Sequence, residues 1–108
     1  MTATDLIKLA KVIQSQDLDL MAAKNHDYAG DSDCLENLRG FGFYGVVVRL
    51  SDKYTRLKNF ALRRAAGQQD LLKVKDEPIK ETLRDIRIYA LLAEIMLEEE
   101  AENAAPKP

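Results

Sequence analysis

The sequence predicts an all-α fold, a helical bundle of three long helices and one short helix. Apolar residues recur at helical spacing along three long stretches, and no alternation of apolar and polar residues is strong enough to predict a strand. With 5 Gly and 3 Pro in 108 residues, the chain also lacks the turn formers that an all-β fold requires. We therefore predict one helical domain over residues 1–100, followed by a disordered acidic and proline-containing tail over 101–108.

The first long helix is predicted to run from about Asp5 to Asn25, with Thr4 as its N-cap. At about 100° per residue, Asp17 falls inside an apolar stripe on this helix. The stripe consists of Leu6, Leu9, Ala10, Ile13, Leu20 and Met21. Such a stripe is typical of a helix that packs one face against a core.

Glycine and aspartate mark the connection to the next long helix. The segment HDYAGDSDC over 26–34 contains Gly30 and three Asp, which predicts a loop. A short helix is predicted over Cys34–Arg39 with Asp33 as its cap. The following GFGF, over 40–43, is predicted to form a turn.

The third predicted helix, Tyr44–Ala66, carries the apolar spacing of a bundle seam. That spacing is provided by Val47, Leu50, Tyr54, Leu57 and Ala61. Gly67 suits the C′ position after this helix. The next loop includes LLKVK over 71–75, the one stretch with some extended character. The last long helix is predicted to begin at DEP over 76–78 and to reach Glu102, because proline fits a first turn and acids suit the positive helix end.

The last helix is apolar on two sides. Its first stripe contains Ile79, Leu83, Ile86, Ala90, Ala93 and Leu97, and its second stripe contains Ile88, Leu92, Ile95 and Met96. A solvated wedge holds Lys80, Arg84, Arg87, Glu94 and Glu98. Because a monomer of 108 residues provides few partners for two apolar faces, we predict a homodimer or homotetramer.

Basic and acidic residues are concentrated on different predicted helices. Between positions 49 and 64 there are six basic residues and one acid, whereas between 81 and 102 there are seven acids and two arginines. One face of the third helix holds Arg49, Asp52, Lys53 and Arg56. Two interpretations of this face stay open. It is either a solvated face with i,i+3 and i,i+4 ion pairs, or a face that meets the last helix and binds a polyphosphate.

Glu81 and Asp85 lie one turn apart on the last helix and point toward the side of Ile88 and Leu92. Two such carboxylates repel each other and lose hydration, so they need a partner. A divalent cation would provide one, and oxygen ligands without His or Cys favour Mg²⁺. Basic side chains of the third helix, or solvent at the rim of the helix, are the alternative.

Three segments, in order, resemble a known family: KNHDYAG (24–30), GVVVRLSDKYTRL (45–57) and DEPIKETLRDIRIYALL (76–92). They resemble three features of the nucleotide-modification-associated helical domain that is common in phage genomes. Those features are a K-x-x-DYG-like loop, an R-x-x-DK-x-x-R helix, and a [DE]-T-L-x-D helix followed by a tyrosine. That family in turn resembles the all-α nucleoside triphosphate pyrophosphatases, the MazG and dimeric dUTPase group. The resemblance implies a MazG-like fold completed by oligomerisation and a phage or prophage origin.

The resemblance also implies an activity, the Mg²⁺-dependent cleavage of a nucleoside triphosphate to monophosphate and pyrophosphate. It would make Asp52, Glu81 and Asp85 the catalytic and metal-binding carboxylates, Arg49, Lys53 and Arg56 the phosphate-binding residues, and Asp27 and Tyr28 nucleotide contacts in the loop. The chain departs from the E-x-x-E and E-x-x-D motifs of the pyrophosphatases, since it has Arg49-x-x-Asp52 and Glu81-x-x-x-Asp85. It also has Ala29 where the loop motif has glycine. These departures favour binding over catalysis.

Two other functions stay open: a protein that binds or sequesters a nucleotide without cleaving it, and a helical protein-interaction module. The net charge of −2 gives no overall attraction to nucleic acid, which is not an expected partner. The single cysteine, Cys34, cannot form an internal disulfide, and no apolar run approaches the roughly 18–20 residues of a membrane span. The expected location is therefore the cytoplasm, that of a bacterial host if the chain is phage-encoded.

Overall fold

The computed structural model describes residues 1–29, 36–68 and 76–104, and these residues form three α-helices and no strand. The helices are α1 (Ala3–Ala29), α2 (Glu36–Ala65) and α3 (Asp76–Ala104). The predicted all-α class is confirmed over this part of the chain. The chain divides into two compact units, Met1–Glu36 with α1 and Asn37–Pro108 with α2 and α3. Within the described ranges, no helix combines the length and apolar character that crossing a membrane requires.

A capping box starts α1. The Thr2 Oγ1 atom accepts a hydrogen bond from the Asp5 backbone N–H at 3.1 Å, and the Asp5 carboxylate accepts one from the Thr2 backbone N–H at 3.3 Å. The prediction of Thr4 as N-cap is therefore wrong, because the residue that exchanges both bonds with Asp5 must lie three positions before it. The Asp5 carboxylate also places negative charge at the positive end of the helix.

Removing this cap is expected to destabilise α1 by about 1 kcal/mol. Thr2→Ala deletes the hydroxyl that accepts the Asp5 N–H, whereas the matched control Thr4→Ala changes an exposed first-turn residue by less than about 0.5 kcal/mol. Urea titration followed by circular dichroism measures both variants. Equal losses in the two would contradict the assignment of Thr2 as the cap.

The far end of α1 lies at Ala29, four residues beyond the predicted end at Asn25. Residues 26–29, predicted to begin a loop, are therefore helical. No glycine or proline occurs between Asn25 and Gly30, so nothing in the local sequence stops the helix earlier. Residues 30–34, the remainder of the predicted loop, lie outside the described residues.

The apolar stripe of α1 is unevenly buried. Asp17 is buried, at 7 % exposure, and Ala10, Leu20 and Met21 are half-buried around it. Leu6, Leu9 and Ile13, nearer the N-terminus, are exposed. The C-terminal half of the stripe is thus the more buried half.

A single residue, Gly42, breaks α2. Its φ of 68° and ψ of −176° are non-helical, and this combination is essentially restricted to glycine. The predicted turn over 40–43 is confined to this one position. The predicted short helix Cys34–Arg39 is correspondingly the first part of α2, which begins at Glu36. Cys34 and its predicted cap Asp33 lie outside the described residues.

A Schellman motif ends α2. The Gly67 N–H donates to the Arg64 carbonyl and the Gln68 N–H donates to the Arg63 carbonyl, each at 3.1 Å. Gly67 has a φ of 79°, so its predicted role as the C′ residue is confirmed. The two arginines also place positive charge in the last turn, where the helix dipole is negative.

The last helix, α3, begins at Asp76 as predicted and reaches Ala104, two residues beyond the predicted end at Glu102. Residues 103 and 104, which were predicted to belong to the disordered tail, are therefore helical. The last turn of α3 contains no basic residue. The stretch LLKVK (71–75) and residues 105–108 lie outside the described residues.

Three side-chain pairs show that α2 and α3 run antiparallel. They are Arg39 with Glu99, Arg49 with Tyr89, and Lys53 with Asp85. From Arg39 to Arg49 the chain advances ten residues along α2, and the partner moves back ten residues along α3. From Arg49 to Lys53 it advances four residues, and the partner moves back four. The helical hairpin therefore keeps one register on both sides of Gly42.

The apolar core of the described residues is small, with Val46, Ala93 and Met96 as its buried members. On α2 the half-buried side chains that continue this seam are Leu50, Lys53, Leu57 and Phe60. The predicted seam is correct at Leu50 and Leu57 and wrong at Val47, Tyr54 and Ala61, which are exposed. The observed seam begins at Val46, one residue before the predicted Val47, which corresponds to a rotation of the helix by about 100°. This rotation places Lys53 in the seam.

The buried side of α3 includes one edge of each predicted apolar stripe, with Ala93 from the first stripe and Met96 from the second. Thr82 and Met96 are buried there, and Asp85 and Tyr89 are half-buried beside them. The two stripes flank this side and stay partly exposed, at Leu83 and Leu97 in the first stripe and at Ile95 in the second. The contact between α2 and α3 is thus considerably more polar than the sequence predicted.

Candidate functional site

Two charged side chains meet where α2 packs against α3. The Lys53 Nζ atom lies 3.0 Å from the Asp85 Oδ2 atom, and the two side chains are 23 % and 27 % exposed. Partial burial strengthens their attraction, because less water screens the charges than at an open surface. The pair joins a residue predicted to bind phosphate with one predicted to bind a metal.

A second polar pair lies one turn away. The Arg49 Nη1 atom donates a hydrogen bond of 3.3 Å to the Tyr89 hydroxyl, and the Arg49 Cζ atom is 5.9 Å from the centroid of the Tyr89 ring. A guanidinium at this distance from a tyrosine ring is attracted by the ring's electron density. We call Arg49, Lys53, Asp85 and Tyr89 together the polar seam.

The helical repeat explains why these four residues come together. Arg49 and Lys53 are four residues apart on α2, and Asp85 and Tyr89 are four residues apart on α3, so each pair lies on one helix face. The antiparallel register then sets each basic residue opposite one partner. The sequence-based prediction that this α2 face meets the face of Asp85 is confirmed for Lys53.

The remaining predicted residues of these helices are exposed: Asp52 and Arg56 on α2, and Glu81 on α3. Arg56 follows Arg49 by seven residues, which returns it to within about 20° of the same side of α2. Glu81 precedes Asp85 by one turn. Among the described residues, no hydrogen bond or ion pair defines a position for these three side chains beyond their placement on the helix.

The predicted Mg²⁺ ligands are Asp52, Glu81 and Asp85. Among the residues that the structure describes, no group of three or more His, Cys, Asp or Glu side chains is placed to hold a metal ion. Asp85 is moreover neutralised by Lys53. The described residues therefore do not fit a bound Mg²⁺ ion, and the metal stays a prediction from the resemblance.

The predicted loop contacts Asp27 and Tyr28 belong to the last turn of α1. Only their backbone is described, and it is helical rather than looped. They are part of the first unit, whereas the polar seam belongs to the second. Their contact with a nucleotide stays a prediction.

Sequence reasoning missed two partners, Tyr89 for Arg49 and Glu99 for Arg39. Arg39 holds Glu99 through two hydrogen bonds, from Nε to Oε1 at 2.9 Å and from Nη2 to Oε2. The i,i+4 spacing of Asp85 and Tyr89, matched by that of Arg49 and Lys53, was a usable signal for the first. No local pattern indicates the pairing of Arg39 with Glu99, because the two residues are 60 positions apart on different helices.

Arg84 departs from the solvated wedge in which it was predicted. It is half-buried, and its Nε atom is buried without a hydrogen-bond partner among the described residues. The other wedge residues, Lys80, Arg87, Glu94 and Glu98, are exposed as predicted. A half-buried cation of this kind gains most from a nearby acid.

A shallow depression of about 370 Å³ lies on the surface of α1. It is lined by Ala3, Thr4, Ile7, Lys8 and Lys11. These residues come from the first three turns of one helix, and none is a predicted site residue. The polar seam is therefore the stronger candidate for a functional site.

No family model, no curated protein and no solved structure matches this chain. The likeness to the phage nucleotide-modification-associated domain accordingly stays a prediction from three sequence segments. The polar seam is known from the chain's own geometry: two cations on α2, one carboxylate and one tyrosine on α3. Such a set can bind an anion, with the tyrosine and the carboxylate orienting the cations beforehand.

Proposed function

We propose that this protein binds a nucleotide through its phosphate groups at the polar seam. The observation that carries the proposal is the placement of Lys53, half-buried against α3 in a position that a helical hairpin would ordinarily fill with an apolar side chain. Arg49 lies one turn before it, exposed and hydrogen-bonded to Tyr89. Arg56, next along the same side of α2, extends the row into solvent. A polyphosphate chain laid along α2 would meet one cation after another.

Asp85 acts in this proposal as an internal counter-ion. Its contact with Lys53 keeps the ammonium oriented and offsets the cost of its partial burial while no ligand is bound. A triphosphate carries more negative charge than one carboxylate, so it competes for the same ammonium. Binding then exchanges the Lys53–Asp85 pair for a Lys53–phosphate pair.

Tyr89 has a related role for Arg49. Its hydroxyl and ring together restrict the guanidinium, so less conformational entropy is lost when that group binds a phosphate oxygen. An arginine held in this way can still direct its other N–H groups at a ligand. The aromatic ring also provides an apolar surface beside the charged row.

Cleavage of the bound nucleotide is the further step that the resemblance implies. The described residues supply no group of carboxylates for the metal on which that chemistry depends. The proposal therefore extends to binding, with hydrolysis and Mg²⁺ as predictions from the resemblance. Pyrophosphate release, measured beside binding, distinguishes the two functions.

Replacing Lys53 by methionine is expected to weaken triphosphate binding about 10- to 100-fold, because a hydrogen bond to a charged group contributes roughly 1.5–3 kcal/mol. Isothermal titration calorimetry with ATP, GTP, CTP and dTTP, and with inorganic tripolyphosphate as a probe without a base, measures the change. Arg56→Ala should weaken triphosphate binding more than monophosphate binding, since its exposed guanidinium would reach the distal phosphates.

Lys58→Met is the matched control, because Lys58 is an exposed lysine on the opposite side of α2. It should leave the affinity unchanged. Equal affinities for the wild type, Lys53→Met and Arg56→Ala would overturn the proposal. Asp85→Asn then separates the two mechanisms: it should tighten binding if Asp85 competes with phosphate for Lys53, and abolish Mg²⁺-dependent binding if Asp85 is a metal ligand.

A further inference from the structure

One flank of α3 carries a stripe that begins with a base, continues with apolar residues and ends with an acid. We call it the outer stripe; it consists of Arg84, Ile88, Leu91, Ile95 and Glu98. Its spacing of four, three, four and three residues is that of a helix–helix seam. Leu91 and Ile95 are 38 % and 39 % exposed, although both are large apolar side chains.

The outer stripe is self-complementary about its centre. Arg84 lies seven residues before Leu91, and Glu98 lies seven residues after it. Ile88 and Ile95 lie three residues before and four residues after it. Reversing the direction of the helix therefore exchanges the base for the acid and leaves apolar residues at the middle.

We infer that α3 pairs antiparallel with α3 of a second copy of this chain, about a two-fold axis at Leu91. The two copies of Leu91 would meet at the axis, flanked on either side by Ile88 and Ile95. Each Arg84 would face Glu98 of the second copy, so the interface contains this ion pair twice. A surface that is complementary to itself in this way is what a two-fold dimer requires.

Charge excludes the parallel arrangement of the same two helices. In a parallel pair each Glu98 would lie against the other Glu98, and each Arg84 against the other Arg84, which is repulsive at both ends. The antiparallel pair also gives Arg84 an acid. The residues that the structure describes provide no ion-pair partner for Arg84 or for Glu98, so both charges are available for it.

The other flank of α3 lacks this arrangement. Within α3 no basic residue precedes Ile79, so the first stripe, with Leu83 and Leu97 exposed, has no base at its start to pair with an acid at its end. The outer stripe also shares no residue with the polar seam. The dimer and the proposed nucleotide binding can therefore fail independently of each other.

Sedimentation equilibrium of the full chain at micromolar concentrations tests this interface. The wild type should show at least twice the chain mass of 12.2 kDa. Leu91→Lys should halve the mass or raise the dissociation constant about tenfold or more, because it places two ammonium groups at the centre of the contact. The matched control Leu97→Lys changes an exposed leucine of the first stripe and should leave the mass unchanged.

A charge exchange tests the pairing directly. Glu98→Arg and Arg84→Glu should each weaken the dimer, and the double variant should restore it, because the base and the acid have only exchanged places across the axis. Circular dichroism confirms that each variant keeps its helices. A monomeric wild type, a dimer that Leu91→Lys leaves intact, or a double variant no tighter than its parents would overturn the inference.

Discussion

Replacing Gly42 by alanine is expected to destabilise the α2–α3 unit by about 1–3 kcal/mol, because the backbone conformation at this position is nearly closed to residues with a side chain. Its φ of 68° and ψ of −176° lie in a region that glycine alone enters readily. An alanine there would either keep the strained backbone or straighten α2. Straightening would move the segment before Gly42 away from the register that Arg39 and Glu99 share.

Gly40→Ala is the matched control for Gly42→Ala. A Cβ atom added at either position meets no other heavy atom within 4 Å, so steric contact does not distinguish them. The backbone conformation does, since Gly40 is helical and Gly42 is not. Gly40→Ala should therefore be neutral or stabilise the helix by up to about 1 kcal/mol. Urea denaturation measures both changes, and equal free energies of unfolding would show that Gly42 carries no strain.

Truncating Met96 to alanine should have the largest effect on stability, about 2–5 kcal/mol. Met96 is 6 % exposed, and the described residues contain only two other buried apolar side chains, Val46 and Ala93. Few neighbours can move to fill the space that the thioether leaves. The loss of buried apolar area is therefore not offset by repacking.

Leu97→Ala is the control for Met96→Ala, because it removes a side chain of similar size from the next position of the same helix. Leu97 is 48 % exposed, so its truncation should lower the free energy of unfolding by less than about 1 kcal/mol. Denaturation of both variants at one fixed protein concentration keeps any effect of association equal. A larger loss for Leu97→Ala would place the core of α3 on its first stripe.

Helix ends were predictable where a local signal determines them. Gly67 ends α2 through its own left-handed backbone, and Pro78 with the acids before it marks the start of α3. Thr2 was missed as the cap of α1 because Thr4, two residues later, satisfies the same composition rule. Only the hydrogen bonds with Asp5 distinguish the two threonines.

The face that α2 buries could not be predicted from α2 alone. A seam at Val47 and Tyr54 is more apolar than the observed seam through Val46 and Lys53, so the sequence of this helix favours the wrong register. Lys53 is accommodated because Asp85, on another helix, neutralises it. The polar seam was predictable only in part, for the same reason. The sequence identified the face of α2 that carries its cations, but not the residue on α3 that each cation contacts.

The order of the three side-chain pairs along the hairpin has a consequence for folding. Arg49 and Tyr89 are separated by 40 residues, and Arg39 and Glu99 by 60. Closing a loop costs only about 0.6 kcal/mol more for each doubling of its length, so the more distant pair forms at little additional entropic cost once the nearer one holds. We therefore expect the pairs nearer the connection between α2 and α3 to form first and the Arg39–Glu99 pair to form last.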